Sequence, residues 1–292
     1  MSGSLKPEAR TESLIEALPY IQEFRGHTFV IKYGGAAMED EAIVEKFLRD
    51  VVFLEAVGIN PVVVHGGGKA ITARMREAGL QARFVNGLRV TDETAIRIVE
   101  ETLDREINPA IVETILRFGG RAVGLSGKEV FLARQLPPQP DSGGKVDIGF
   151  VGEAAGIAAE AIRRAIADEV VPVISPIGAT ADGQVLNINA DVAASALAAE
   201  LQATKLIFVS DVPGIMRDPE DRNSLIPSLT VAQTESLIKQ RVIAGGMIPK
   251  VQSADAALRQ GVKKTHLIDG HVQHGLLLEI FTNDGVGSEI VP

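Results

Sequence analysis

The sequence predicts an α/β fold in which a mainly parallel sheet is covered by helices on both faces. Apolar extended segments alternate with amphipathic helical segments almost throughout the 292 residues. Two of those extended segments run straight into glycines, as strands do when they turn into a helix. The composition also fits an α/β enzyme, being 46% hydrophobic and rich in glycine, with only 4% aromatic residues. Such alternation is the signature of strand-helix-strand crossovers, which produce parallel pairing.

The elements follow in order. A strand at 28–33 precedes residues 40–57, where Val44, Phe47, Leu48, Val51 and Val52 recur at helical spacing until Gly58. The strand 61–65 leads into a helix from about 69 to Gly79. Asn86-Gly87 marks a turn between short extended pieces that end at Arg89-Val90. Thr91, Asp92 and Glu93 read as a helix start. Asn108-Pro109 is expected to interrupt that helix and restart it, and Gly119-Gly120 to end it. Short strands are expected over 121–153 around a Pro/Gly-rich loop at 137–144, then a helix over 155–168 and a strand at 170–174. A turn at Asp182-Gly183 precedes an extended segment and an alanine-rich helix starting near Asp191. A strand at 206–209, helices near 231–240 and 249–260, and a strand at 262–268 complete the pattern. A lobe boundary is placed near 200, where the alanine-rich helix ends.

Several function classes are excluded at once. A net charge of −9 argues against nucleic acid or an anionic membrane as partner. The chain has no cysteine, which removes disulfides, thiolate catalysis and cysteine metal sites. No stretch has transmembrane length and the polar N-terminus lacks a signal-peptide core, so a cytoplasmic location is expected. Gly66-Gly67-Gly68-Lys69 is followed by alanine and lacks P-loop spacing. A dinucleotide fingerprint is likewise missing from any strand-to-helix context.

Four constellations carry chemistry. Lys32-Tyr33-Gly34-Gly35 and His65-Gly66-Gly67-Gly68 each end an apolar strand. Backbone without Cβ atoms admits an anion closely, and a following helix aims N–H groups at it, so the pair suggests a phosphate cradle. Ordinary βα turns are the alternative, although one glycine normally suffices for those. In Asn187-Ile188-Asn189-Ala190-Asp191, alternation puts both asparagines on one face, with Asp191 at the next helix start. Either the amides hold a polar substrate and Asp191 orients lysines, or Asp191 is simply an N-cap. Gly245-Gly246-Met247-Ile248-Pro249-Lys250 puts Pro249 in a first helical turn and Lys250 near the positive dipole end. A lysine there disfavours the helix and favours an anionic partner, solvation being the alternative. In Ser210-Asp211-Val212-Pro213-Gly214, a buried strand ends at a turn of type II composition, where open α/β sheets bind ligands. His65 reads as a structural residue rather than a base.

Taken together, these stretches and Asn86-Gly87-Leu88-Arg89-Val90-Thr91 resemble the amino acid kinase family, in the family's order, over roughly residues 28–290. The Asn-Gly-Leu-Arg-Val-Thr and Asn-x-Asn-Ala-Asp stretches narrow the resemblance to the branch that acts on N-acetyl-L-glutamate. It implies an open, mainly parallel eight-stranded sheet sandwiched between helices, with an N-terminal kinked helix. The implied units are an oligomerisation and regulatory helix at 1–26, an acyl-amino-acid lobe at 27–200 and a nucleotide lobe at 201–292. The implied reaction moves the γ-phosphoryl of ATP to the side-chain carboxylate of N-acetyl-L-glutamate, in arginine synthesis. Lys32 and Lys250 would stabilise the moving group and Asp191 would orient both. Gly67, Gly68, Arg89, Asn187 and Asn189 would bind substrate. Gly34, Gly35, Ser210, Asp211, Gly214 and Gly246 would bind nucleotide, with Mg²⁺ held mainly through ATP phosphates and no protein metal site.

A γ-carboxylate is already ionised at neutral pH, so this chemistry needs no general base. Another acyl-phosphate kinase of the same fold remains open, against which Arg89 and the paired asparagines argue. A non-catalytic amino-acid sensor also remains open, against which both lysines and Asp191 argue. At the N-terminus, Leu14, Ile15, Leu18, Ile21 and Phe24 recur at helical spacing, with Pro19 expected to kink the helix. This extension and the stretches at 266–270 and 278–287 resemble those of arginine-inhibited hexamers built as trimers of dimers. The resemblance implies an L-arginine site using Tyr20, His266, Glu279 and Gly285.

Overall fold

The computed structural model describes residues 7–38, 40–141, 143–283 and 285–292. Ser142 of the Pro/Gly-rich loop and the first six residues of the N-terminal segment lie outside the described residues. The architecture is an eight-stranded sheet between helical layers. Its strands are β1 (Thr28–Tyr33), β2 (Asn60–His65), β3 (Ala122–Leu125), β4 (Val171–Ile174), β5 (Lys205–Ser210), β6 (Ser228–Thr230), β7 (Lys264–Asp269) and β8 (Ser288–Val291). They lie in the order β6-β8-β7-β5-β1-β2-β4-β3. Every pair is parallel except β7 with β8.

Strand alternation divides the core in two. Val30, Val62, Val64, Leu206 and Phe208 pack on one face with the helices Ala190–Glu200 and Met247–Arg259. Phe29, Ile31, Tyr33, Val63, Ile207 and Val209 face the helices Glu41–Ala56, Asn108–Arg117 and Gly275–Phe281. Residues one apart in a strand point to opposite faces, so a run such as Val62-Val63-Val64 feeds both cores. The sheet passes without a break from β1 to β5 in the register Phe29 to Lys205, so strands from both sides of position 200 share one sheet. A small closed barrel (Phe131–Gln135, Val151–Ile157, Ile177–Ala179, Val185–Ile188) sits beyond the end of β4.

Four expectations need correction. The helix expected from 155 begins at Glu160, because Val151–Ile157 is a barrel strand paired with Phe131–Gln135. The α-helix does restart at Asn108 with Pro109 in its first turn, but the interruption lies before the proline, as a π-helical stretch, Glu101–Ile107, between Glu93–Glu100 and Asn108–Arg117. Wider turns accommodate a proline that lacks an N–H and crowds the preceding turn. Gly214 has φ 149°, away from type II geometry, because it packs against β8 where a Cβ would lie 2.6 Å from Ser288 Oγ. The sheet also uses β6 and β8, and the helix Gly275–Phe281 precedes β8, none of which the periodicity marked. The N-terminal helix, Pro7–Phe24, continues through Pro19. Its Tyr20, Ile21 and Phe24 join the second core while Leu14, Ile15 and Leu18 stay exposed.

His65 ends β2 and is fully buried. Its Nδ1 lies 3.0 Å from Gly66 O and its Nε2 3.2 Å from Asn108 Nδ2, which suits a neutral ring that donates through Nδ1 and accepts at Nε2. Burial pushes its pKa down to about 4. The unfolded chain therefore takes up the proton first as pH falls from about 6.5. His65 thus contributes stability that is complete above about pH 6.5 and declines toward pH 4. Asp50, which burial raises to about 6, titrates in the opposite sense in the same window. The difference between wild-type and His65→Gln stabilities should consequently shrink by a few kcal/mol from pH 7 to pH 4.5. Parallel stability–pH curves from denaturant titration would contradict this assignment.

Candidate functional site

The central feature is a carboxylate held between two ammonium groups. Asp191 Oδ1 lies 3.1 Å from Lys32 Nζ, and its Oδ2 accepts from Lys250 Nζ at 2.8 Å. The three come from distant parts of the chain. Lys32 is in β1, Asp191 in the first turn of the helix Ala190–Glu200, and Lys250 in the first turns of Met247–Arg259. The N-cap of the Asp191 helix is Asn189, whose Oδ1 accepts from the Asp191 and Val192 N–H groups at 2.9 and 3.2 Å. Capping is therefore done two residues earlier than the alternative reading held, which leaves Asp191 free for the lysines.

Burial by itself would raise the Asp191 carboxyl, but the charges of Lys32 and Lys250 outweigh it and hold the group below its usual value. Burial lowers the Lys32 pKa, against the attraction of Asp191, and the Lys250 charge adds to the lowering. Two cations thus share one anion in a poorly hydrated place. The site carries surplus positive charge that a phosphoryl group can take up.

Two cavities flank this bridge. The first, of about 360 Å³, is lined by Lys32, Gly35, Gly67, Gly68, Arg89, Asn187 and Asn189. Its two glycine loops are in contact, with the Gly66 N–H donating to Tyr33 O at 2.6 Å. A Cβ on Gly34 would lie 2.9 Å from Lys32 Nζ, so glycine leaves the ammonium its place. A Cβ on Gly67 would meet Leu103 Cδ2 at 2.6 Å and Ile107 Cδ1 at 2.7 Å, whereas Gly68, opening the helix Gly68–Glu77, faces the cavity. The Asn187 amide donates to Thr91 Oγ1 at 3.3 Å.

Arg89 is buried in this cavity's wall without an acidic partner among the described residues. It donates to Gly68 O at 2.6 Å and Thr72 Oγ1 at 2.9 Å, contacts Met75 Sδ, and lies over the Phe84 ring at 4.7 Å. Burial lowers its pKa, the penalty expected of a guanidinium lacking a counter-ion. An incoming carboxylate would supply one. Sequence reasoning missed Phe84 and Thr72. A signal for Phe84 was present, because a two-residue loop at Asn86-Gly87 sets it opposite Arg89 in the hairpin.

The second cavity, of about 370 Å³, is lined by Ser210, Asp211, Gly214, Gly246 and Lys250 with apolar Val212, Ile215, Met216, Ile243 and Met247. Its apolar wall suits a flat base, while Lys250 stands at the end that meets the Asp191 bridge. Among the described residues, no three His, Cys, Asp or Glu side chains come together as a metal site.

Tyr20, His266, Glu279 and Gly285 form a separate cluster. Glu279 Oε1 is 2.7 Å from His266 Nδ1, and its Oε2 accepts from the Val286 and Gly287 N–H groups at 2.7 and 3.0 Å. The Lys205 ammonium lies 3.1 Å from His266 Nε2, a geometry that puts the imidazole proton on Nδ1. A Cβ on Gly285 would lie 2.8 Å from Glu279 Oε2, and Tyr20 donates to Asn283 at 2.6 Å. Asp284, inside that stretch, lies outside the described residues.

The two touching glycine loops and the two lysines on one carboxylate lie at the C-terminal ends of the central strands β1 and β2, an arrangement in keeping with an amino acid kinase. Residues 27–269 match the amino acid kinase family, and the chain belongs to it. It is 51% identical over 279 residues to the acetylglutamate kinase of Akkermansia muciniphila, covering 95% of this chain and 94% of that one. The acetylglutamate kinase of Aquifex aeolicus is 47% identical, with 96% and 97% covered. Among solved structures, N-acetylglutamate synthase from Neisseria gonorrhoeae complexed with coenzyme A and N-acetyl-glutamate superposes with a TM-score of 0.85 at 26% identity. The alignment covers 97% of this chain and 63% of the synthase chain. Carbamate kinase from Giardia lamblia, at a TM-score of 0.65 and 17% identity over 91% of this chain and 98% of that one, shares the fold.

Lys32→Ala and Lys250→Ala should each lower kcat roughly 10²–10³-fold or more, in the range of a lost electrostatic stabiliser. Both variants should fold, since neither ammonium packs a core. Near-wild-type turnover by either folded protein would remove that lysine from the chemistry.

Proposed function

We propose that the protein transfers the γ-phosphoryl group of ATP to the side-chain carboxylate of N-acetyl-L-glutamate, giving N-acetyl-L-glutamyl 5-phosphate in arginine biosynthesis. The observation that carries this is the Lys32–Asp191–Lys250 bridge between two cavities, with the unpaired Arg89 in one of them. The acyl substrate occupies the first cavity, in the lobe 27–200. Arg89 pairs with one of its carboxylates, and Asn187, Asn189 and the Gly67–Gly68 backbone hold its polar groups. ATP occupies the second, largely within 201–292, with its phosphates toward Gly34, Gly35 and Lys250. Lys32 and Lys250 offset the charge on the transferring group while Asp191 keeps both in place. The attacking carboxylate is already ionised, so no residue need remove a proton. Magnesium, when bound, neutralises phosphate charge and draws its ligands mainly from phosphate oxygens and water.

The protein is further read as feedback-inhibited by L-arginine in a homo-hexamer built as a trimer of dimers. Glu279, whose Oε1 meets His266 and whose Oε2 accepts two backbone N–H groups, keeps one acceptor site for the guanidinium, and Tyr20 closes the site from the N-terminal helix. Exposed Leu14, Ile15 and Leu18 on that helix give neighbouring subunits an apolar surface to cover. One of the Neisseria synthase structures similar to this chain is complexed with coenzyme A and L-arginine, at a TM-score of 0.80 and 26% identity.

An acceptor screen with ADP detection and hydroxylamine trapping tests the reaction. ADP should form with N-acetyl-L-glutamate and not with glutamate, aspartate or carbamate. Arg89→Lys should raise KM for the acyl substrate roughly tenfold or more while leaving KM for ATP nearly unchanged, because lysine cannot reproduce a bidentate pair. Equal effects on both KM values would place Arg89 outside the acyl cavity. On regulation, the full-length protein should sediment as a hexamer whose activity falls with arginine, and a variant lacking residues 1–25 as a dimer insensitive to low arginine. A full-length dimer that ignores millimolar arginine would refute the regulatory reading and leave the kinase reading intact.

A further inference from the structure

The π-helical stretch Glu101–Ile107 places an acidic group where the reaction has no direct use for it. Asp104 accepts from two serine hydroxyls, Ser175 Oγ at 2.5 Å and Ser126 Oγ at 2.6 Å. Ser126 caps the helical turn Gly127–Val130 that follows β3, and Ser175 follows β4. The two serines are cross-linked again, since the Gly127 N–H donates to Ser175 Oγ at 2.9 Å. The packing is tight, because a Cβ on Gly127 would lie 2.1 Å from Ser175 O and 2.2 Å from Ile177 O.

What hangs on Ser175 is one wall of the acyl cavity. The next residue, Pro176, lines that cavity, and its carbonyl accepts from the Ile188 N–H at 3.0 Å. Ile177 pairs with Asn187 in the barrel. The same π-helical stretch supports the opposite wall through Leu103 and Ile107, which occupy the space a side chain on Gly67 would need. This stretch of helix thus packs against the glycine loop directly and reaches the asparagine strand through Asp104, Ser175 and the Pro176–Ile177 backbone, with Lys128 Nζ 3.9 Å from Asp104 on the Ser126 side. A carboxylate accepting two hydroxyls makes strong, directional bonds, and π-turns recur where a helix must present groups off the α-helical register.

We propose that Asp104 is a positioning residue for the acyl substrate: through Ser175 and Ser126 it sets the spacing between the Gly67–Gly68 loop and the Asn187–Asn189 strand. The nucleotide cavity, lined by residues from 210 onward, lies outside this linkage. The effect is therefore specific to one substrate, which a general stabilising role would not produce. This inference rests on the assignment of the first cavity to N-acetyl-L-glutamate.

The test compares steady-state kinetics of wild type, Asp104→Asn, Asp104→Leu, Ser175→Ala and the Asp104→Asn/Ser175→Ala pair. KM for N-acetyl-L-glutamate should rise at least about fivefold in Asp104→Leu and less in Asp104→Asn, which still accepts a hydroxyl. KM for ATP and kcat at saturation should stay within about twofold. The double variant should add little to the larger single effect, since both changes cut one linkage. If Asp104→Leu fails to fold, Ser175→Ala carries the same expectation with a smaller volume change. Unchanged acyl KM in the folded variants, or matched rises in both KM values, would overturn the proposal. Absence of wild-type turnover with N-acetyl-L-glutamate would instead count against the kinase assignment.

Discussion

Everything in this site depends on one carboxylate neutralising one of two lysines that it touches. Lys32 and Lys250 come from opposite sides of the sheet's midline, and without Asp191 their ammonium groups would repel across a buried gap. A single anion between two cations leaves a net positive site, which is what a γ-phosphoryl group in flight requires. The constraint reaches back into the fold. Asp191 is available because Asn189 caps its helix, Lys32 fits because Gly34 has no side chain, and Lys250 stands in the first turns of a helix that starts at Met247, next to Pro249.

The two cavities differ in how they are built. The nucleotide side is a strand end and a helix start with an apolar floor, adaptable and mostly local. The acyl side is assembled from the glycine loop, the Phe84–Arg89 hairpin, the asparagine strand and the π-helical stretch. Buried Arg89 has a burial penalty that no acidic side chain among the described residues offsets, and in the proposed reading the substrate's carboxylate completes that site. On the proposed reading, discrimination among acceptors is concentrated on the acyl side, where a missing or misplaced carboxylate would leave the guanidinium without an ionic partner.

Much of this was legible in the sequence, for reasons that can be named. β1, β2, β4 and β5 are mainly apolar runs, the first two followed by glycine and the other two closed by serine, so periodicity and punctuation agree. Lys32 stands near the end of β1, Asp191 just beyond the strand Val185–Ile188, Arg89 at the end of a hairpin strand, and Lys250 in a helix start led by glycines. What stayed hidden was either too short or too dependent on tertiary context. β6 and β8 have three and four described residues and acquire their identity only by pairing with each other and with β7. Val151–Ile157 is rich in alanine and glycine, and barrel pairing rather than propensity makes it a strand. The π-stretch has ordinary helical periodicity, and its link to the acyl cavity shows only in tertiary contacts such as the bonds from Ser126 and Ser175 to Asp104.

Asp191→Asn tests the central claim most directly, because it keeps the shape of the bridge and removes its charge. Rapid-quench measurement of acyl-phosphate formation, with both substrates saturating, isolates the transfer step from binding. If Asp191 holds the two lysines at the transferring group, the rate of that step should fall roughly 100-fold or more in a variant that still folds and binds both substrates. A folded Asp191→Asn protein that forms acyl phosphate at nearly the wild-type rate would contradict the account at its base.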